Sequence, residues 1–260
     1  GEDPRRALAA WMTSPENEFF AKVQVNRVWA DLMGRGIVEP VDDLRATNPP
    51  VNGPLLDELA KDFIAGGFDN KQLIRRIANS YVYGLSSLPN ETNAIDTTNF
   101  SRHYRKRLRA EVLLDSIVQI TDQEESFAAL PAGSSAKEIW THRVGSLFLD
   151  AFGRPDPNQD PPCERTSDTS IVQTLHLMNS EKLFAKVTSD QSRAAKLAAS
   201  DQSPAEIVRE LYLLCYSRHP DSPELEYAVK YFDNPEIERR AAVEDLLWAL
   251  LNTPEFVFKN

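Results

Sequence analysis

Apolar residues recur along the chain at intervals of three and four and nowhere alternate for long, a pattern that predicts helices rather than strands. Ala21, Val25, Val28, Trp29 and Leu32 form one such stripe. Phe19 and Val23 project from the opposite side, which predicts a central helix with neighbours on both faces. Leu55, Leu56, Leu59, Phe63 and Ile64 form a second set, and Leu73, Ile74 and Ile77 a third. Ala110, Leu113, Leu114, Ile117 and Thr121 line a fourth. Near the end come Ile207, Leu211 and Leu214, then the strong stripe Val243, Leu246, Leu247, Leu250 and Leu251.

The boundaries of these segments are written in capping residues. Asp3-Pro4 is an N-cap followed by proline at the first helical position, opening a helix that runs to Met12. Ser14-Pro15-Glu16 repeats the device and predicts a longer helix to Met33, closed by Gly34. Asn52-Gly53-Pro54 and Asp69 open the next two, with Gly66-Gly67 between them. Further helices are predicted over 108–121, 146–152, 170–179, 181–188 and, weakly, 193–199. Ser203-Pro204-Ala205-Glu206 is a capping box, and Ser222-Pro223-Glu224 starts another helix. Asn252-Thr253-Pro254 stops the last long helix and lets Thr253 cap a final turn over 254–258.

Residues 84–101 read as loop, and 154–168 cannot be a helix interior because it holds Pro155, Pro157, Pro161 and Pro162. The stretch 122–145 is ambiguous, and a small β-hairpin fits only near 138–144. The predicted fold is therefore mainly α: one helical domain over 1–260, with about ten helices, irregular loops and at most one small hairpin. If the chain divides instead, the break is expected in 122–136 or 154–168.

Composition narrows the classes. Lys+Arg 29 against Asp+Glu 39 gives a net charge of −10. An acidic chain is poorly suited to sequence-independent nucleic-acid binding or to docking on anionic lipid. There is no apolar run of about 18 residues, so no membrane insertion is expected. Hydrophobic residues at 42% and charged residues at 26% exclude a disordered chain. Two cysteines are too few for a disulfide framework or a four-cysteine zinc site. Cys215, in LYLLCY, reads as an inert thiol on a buried helix face.

Three places could carry chemistry. In the first, Asn26 and Arg27 on a helix read as buried are followed by a Gly34/Gly36 turn and by Glu39, Asp42 and Asp43. Those acids could form a calcium site or an acid/base pair, or an ion-pair latch with Arg27 that fixes the turn. The second is Arg102-His103-Tyr104-Arg105-Lys106-Arg107-Leu108-Arg109, a cationic run in which Arg107 and Glu111 are spaced as a helical pair. A solvated face, or a cradle for an acidic helix, fits it better than nucleic acid. Third is Cys163-Glu164-Arg165, where a cysteine beside an arginine could be reactive or the loop simply pinned by an Arg–Glu contact. The histidines His103, His142, His176 and His219 lack metal-ligand spacing, so neither metal nor other cofactor is expected. No nucleophile-elbow, zincin, dinucleotide or P-loop pattern is present.

Several runs carry a resemblance. NEFFAKVQVNRVWADLMGRGIVEPVDDLRATNPP (17–50), RKRLRAE (105–111), FGRP (152–155), CERT (163–166), LHLMNS (175–180) and LLNTPEFVF (250–258) stand in the order of the blocks of the Planctomycete-Specific Domain One family. The chain resembles that family over nearly its whole length. Many relatives carry Cys-x-Cys-Glu-Arg where this chain has Pro161, which argues against a metal-binding or redox cysteine pair. The resemblance implies the C-terminal part of a large secreted or surface protein. Cytochrome-c-like and family-specific domains would lie upstream as partners, and the location would be extracytoplasmic.

Two functions lead the expectations, ahead of a third, electron transfer through a held metal or haem, for which the histidines and cysteines are neither clustered nor spaced. The first is a non-catalytic interaction module that packs against other domains of a protein linked to redox or glycan processing. The alternative is a carbohydrate hydrolase using paired carboxylates drawn from Glu39, Asp42, Asp43, Glu111 and Glu164, since a glycosidase needs two carboxyls about 5 to 10 Å apart. A further expectation is that Asn26, Arg27, Arg107, Cys163 and Arg165 join in one buried polar network with those acids. It would tie the 34–45 turn to the 105–111 segment and the 163–166 loop.

Overall fold

The computed structural model describes residues 3–128, 130–140, 144–154, 173 and 179–259. The chain forms two compact units, residues 1–106 and 107–259. Both units are helical, so the protein is mainly α, with a single two-stranded sheet among the described residues.

The first unit holds α1 (Pro4–Met12), α2 (Glu18–Met33), α3 (Gly53–Ala65) and α4 (Asn70–Ala78). Asp3, Asn52 and Asp69 cap α1, α3 and α4 through their side chains, as the sequence predicts. In α2 the cap is Asn17 rather than Ser14: Asn17 Oδ1 accepts from the Phe20 amide, and Ser14 turns back to Glu16. The core lies between α2, α3 and α4, where Val25, Trp29, Met33, Leu56, Phe63 and Ile77 are buried. α2 does not bury two opposite faces, since Phe19 is 66% exposed. α1 buries none of its residues. Residues 84–101 contain no helix or strand, as predicted.

The second unit contains α5 (Ala110–Thr121), a 3-10 turn (Ala136–Glu138), α6 (Leu147–Ala151), α7 (Glu181–Thr188) and α8 (Arg193–Ala198). α9 (Pro204–Tyr216), α10 (Ser222–Phe232), α11 (Arg239–Leu251) and the one-turn α12 (Pro254–Val257) complete it. Its core gathers Leu114, Ile117, Leu149, Ile207, Leu211 and Leu247. The capping box of α9 and the Thr253 cap of α12 form as read. α10 is capped by Asp221, which completes a capping box with Glu224. α5 begins at Ala110 rather than Leu108 because the preceding residues are extended: Lys106–Arg107 (β1) pairs with Phe258–Lys259 (β2), and the Leu108 amide donates to the Val257 carbonyl at 2.9 Å. The small sheet is thus built from distant segments. Near 138–144, Ile139 and Trp140 are not strand, and 141–143 lie outside the described residues. Most of the predicted 154–168 loop and 170–179 helix lies outside them too. Among the described residues no helix is long and apolar enough to cross a membrane.

Candidate functional site

The run 26–48 folds into a turn held by side chains. Asn26 is fully buried on α2, and its Nδ2 donates to the carbonyls of Val38 (2.9 Å) and Val41 (2.6 Å). Its Oδ1 accepts from the Val38 amide at 3.0 Å, so one amide side chain reproduces strand-like pairing for the returning chain. Gly36 passes so close that an added Cβ would lie 2.3 Å from the Val38 carbonyl oxygen. Gly34, in the left-handed region at φ +82°, closes α2 against the Tyr104 backbone.

The three acids of this turn each have a partner. Glu39 accepts from the Gly36 amide at 2.9 Å. Arg27 grips Asp42 with two parallel hydrogen bonds, 2.7 and 2.8 Å, and Arg45 grips Asp43 at 2.5 and 2.6 Å. The guanidinium of each pair holds its carboxyl below the usual range. Arg27 is not buried: its side chain is 56% exposed and that of Asp42 59%. It stands one position beyond Asn26, and this single step carries it from the core to solvent. Among the described residues no cluster of three or more His, Cys, Asp or Glu is placed to hold a metal ion.

The cationic run divides between the two units. In the first, the Arg102 guanidinium lies 5.3 Å from the Tyr104 ring centre, and Arg105 Nε donates to Ser87 Oγ at 3.3 Å. Lys106 pairs with Asp31 at 3.1 Å. His103 is buried beside the Tyr104 carbonyl. Arg107 opens the second unit from β1, not from a helix, so its spacing to Glu111 is not that of a helical pair. It is buried, donates to the Phe152 carbonyl at 2.8 Å and stacks on the Phe152 ring. Desolvation lowers its pKa. Cys163, Glu164 and Arg165 lie outside the described residues, as do His142 and His176. Cys215 is half-buried on α9, and burial pushes its thiol up to about 12, which makes it a poor nucleophile.

Two features were not anticipated from the sequence. Arg154, in the FGRP run, is buried with Nη1 on the Val144 carbonyl (2.5 Å) and Nε on Asp150 (2.9 Å), an i,i+4 pair that the residue types could have suggested. The second is a groove of about 710 Å³ between α9, α10 and α11, lined by Tyr212, Tyr216, Tyr227 and Tyr231. The signal was present as two tyrosine pairs, each spaced by four residues. Tyr216 is fixed by its hydroxyl, 2.7 Å from Thr253 Oγ1 and 3.2 Å from the Leu250 carbonyl. Tyr231 donates to Asp245 Oδ2 at 2.8 Å. At one end Arg218 is clamped by Glu224 (2.7 and 2.8 Å) and Glu255 (2.6 and 2.9 Å), with its guanidinium 5.5 Å from the centres of both the Tyr212 and Tyr216 rings.

The model of the PSD1 family, described as "Protein of unknown function (DUF1553)", matches residues 4–232, and the chain belongs to that family. The match takes in the Asn26–Asn48 turn, the cationic run and the FGRP run, and ends before α11. No curated protein and no solved structure matches the chain.

Proposed function

We propose that this chain is a non-catalytic interaction module of a multidomain extracytoplasmic protein, and that it packs against other domains of that same protein. The observation that carries the reading is α1. Leu8, Trp11 and Met12 are 54%, 66% and 38% exposed, and nothing on the helix is buried. Phe19, also exposed, lines the same surface hollow as Trp11 and extends the apolar surface. A contiguous apolar patch of this kind marks a surface that meets another protein. Three of the five candidate carboxylates support the same reading, because Glu39, Asp42 and Asp43 all serve the turn that contains them. A link to redox or glycan processing rests on the family resemblance alone.

The test mixes the chain with the separately expressed remaining domains of its parent protein. Co-elution in gel filtration is expected, weakened at least tenfold by Leu8→Ser/Trp11→Ser. No association at about 50 µM of each partner would overturn the proposal.

A further inference from the structure

We infer that the tyrosine groove between α9, α10 and α11 binds an organic cation, an ammonium or guanidinium carried on an apolar stem. Four tyrosines contribute to its walls, and Tyr227 stands 80% exposed at its mouth. Aromatic faces attract cations, and tyrosine keeps the polar edge that a wet site needs. The sign of the charge agrees. Three carboxylates, Glu224, Asp245 and Glu255, meet one guanidinium, Arg218, which leaves two negative charges among these groups. Glu224 and Glu255 are both taken up by Arg218. Asp245 is exposed, and the hydrogen bond from Tyr231 engages its Oδ2, so Oδ1 can face a ligand.

The chain itself demonstrates the chemistry. Arg218 already lies against two of the four rings, with carboxylates completing its shell. Towards the other end, Tyr227, Tyr231 and Asp245 offer the same pairing of ring and carboxylate without a cation of their own among the lining residues. Ala228, Leu246 and Ala249 add apolar surface to the lining, so a hydrocarbon stem has somewhere to lie. Ala249 is small enough to leave the groove open. An anionic ligand would meet Asp245, and a neutral sugar would leave that carboxylate without a counter-charge.

The inference does not depend on association between domains, since a small cation titrates the isolated chain. The experiment is calorimetric titration of the full chain with three probes. They are choline, its uncharged isostere 3,3-dimethylbutan-1-ol, and a blocked tripeptide with a single central lysine. Choline or the lysine peptide should bind at least tenfold more tightly than the neutral alcohol, and whichever is tighter tells a small quaternary ammonium from a basic side chain. Asp245→Asn and Tyr227→Ala, both at exposed positions, should each weaken binding at least fivefold, while Tyr227→Phe should retain it. Circular dichroism should show all three variants folded. Equal affinity for the alcohol, no binding of either cation at ten millimolar, or indifference to Asp245→Asn would each overturn the inference.

Discussion

Replacing Asn26 with alanine removes both donors and the acceptor that hold the turn, and leaves the Val38 amide and the Val38 and Val41 carbonyls without those partners. Buried polar groups stripped of a partner are costly, and a loss of about 2 to 4 kcal/mol is expected in urea unfolding. Its neighbour should behave otherwise. Arg27→Leu breaks a well-formed pair with Asp42, but that pair is more than half exposed and screened by water, so the cost should stay below about 1 kcal/mol. Comparable costs for the two variants would contradict this account of the turn. The periodic pattern showed that this helix was buried but not how its faces are divided. It placed Arg27 in the core, where an unpaired guanidinium would cost far more, because a stripe assigns a face only to within a residue or so.

At the scale of elements, Arg218 ties three helices together: it follows α9, and its carboxylate partners open α10 and begin α12. The guanidinium holds the Glu224 carboxyl below its ordinary value of 4.5. A carboxyl whose folded pKa is depressed stabilises the fold above its unfolded pKa, and that stability is lost as pH falls through the folded value. The melting temperature should therefore fall as pH drops from about 6 to about 3, and Arg218→Gln should flatten part of that fall. A parallel pH profile in the variant would show that the tie contributes nothing. Elements were the most legible scale in the sequence. Asp3, Asn52, Asp69, Ser203 and Thr253 all cap where their residue types said they would, because a cap is decided within four residues. The start of α5 was misplaced because β1 depends on Phe258–Lys259, some 150 residues away. The tyrosine pairs stand in the sequence, but the groove they line does not follow from it for a related reason: its parts lie on three helices, and only their packing brings them to one place.

Among the described residues the buried apolar side chains form two cores, one in each unit. Leu59 belongs to the first and Leu211 to the second, and truncating either to alanine should cost about 2 to 5 kcal/mol. Native-state hydrogen exchange should locate the damage. Leu59→Ala should speed exchange in α2, α3 and α4 and leave α9 and α11 protected, and Leu211→Ala should do the reverse. Uniform loss of protection in both variants would mean that the two cores unfold as one.

Asn26 also bears on how the molecule ages. Asparagine is among the thermolabile residues, because its side-chain carbonyl can be attacked by the next backbone nitrogen and lose its amide. Within α2 that nitrogen is held in helical geometry, away from the attack, so the folded chain shields the residue. Once the chain has unfolded the shield is gone. Conversion to aspartate would set a negative charge against the Val38 and Val41 carbonyls where two donors had stood. Time spent hot and unfolded would then be recorded in the covalent structure, as a growing fraction of chains that cannot rebuild the turn.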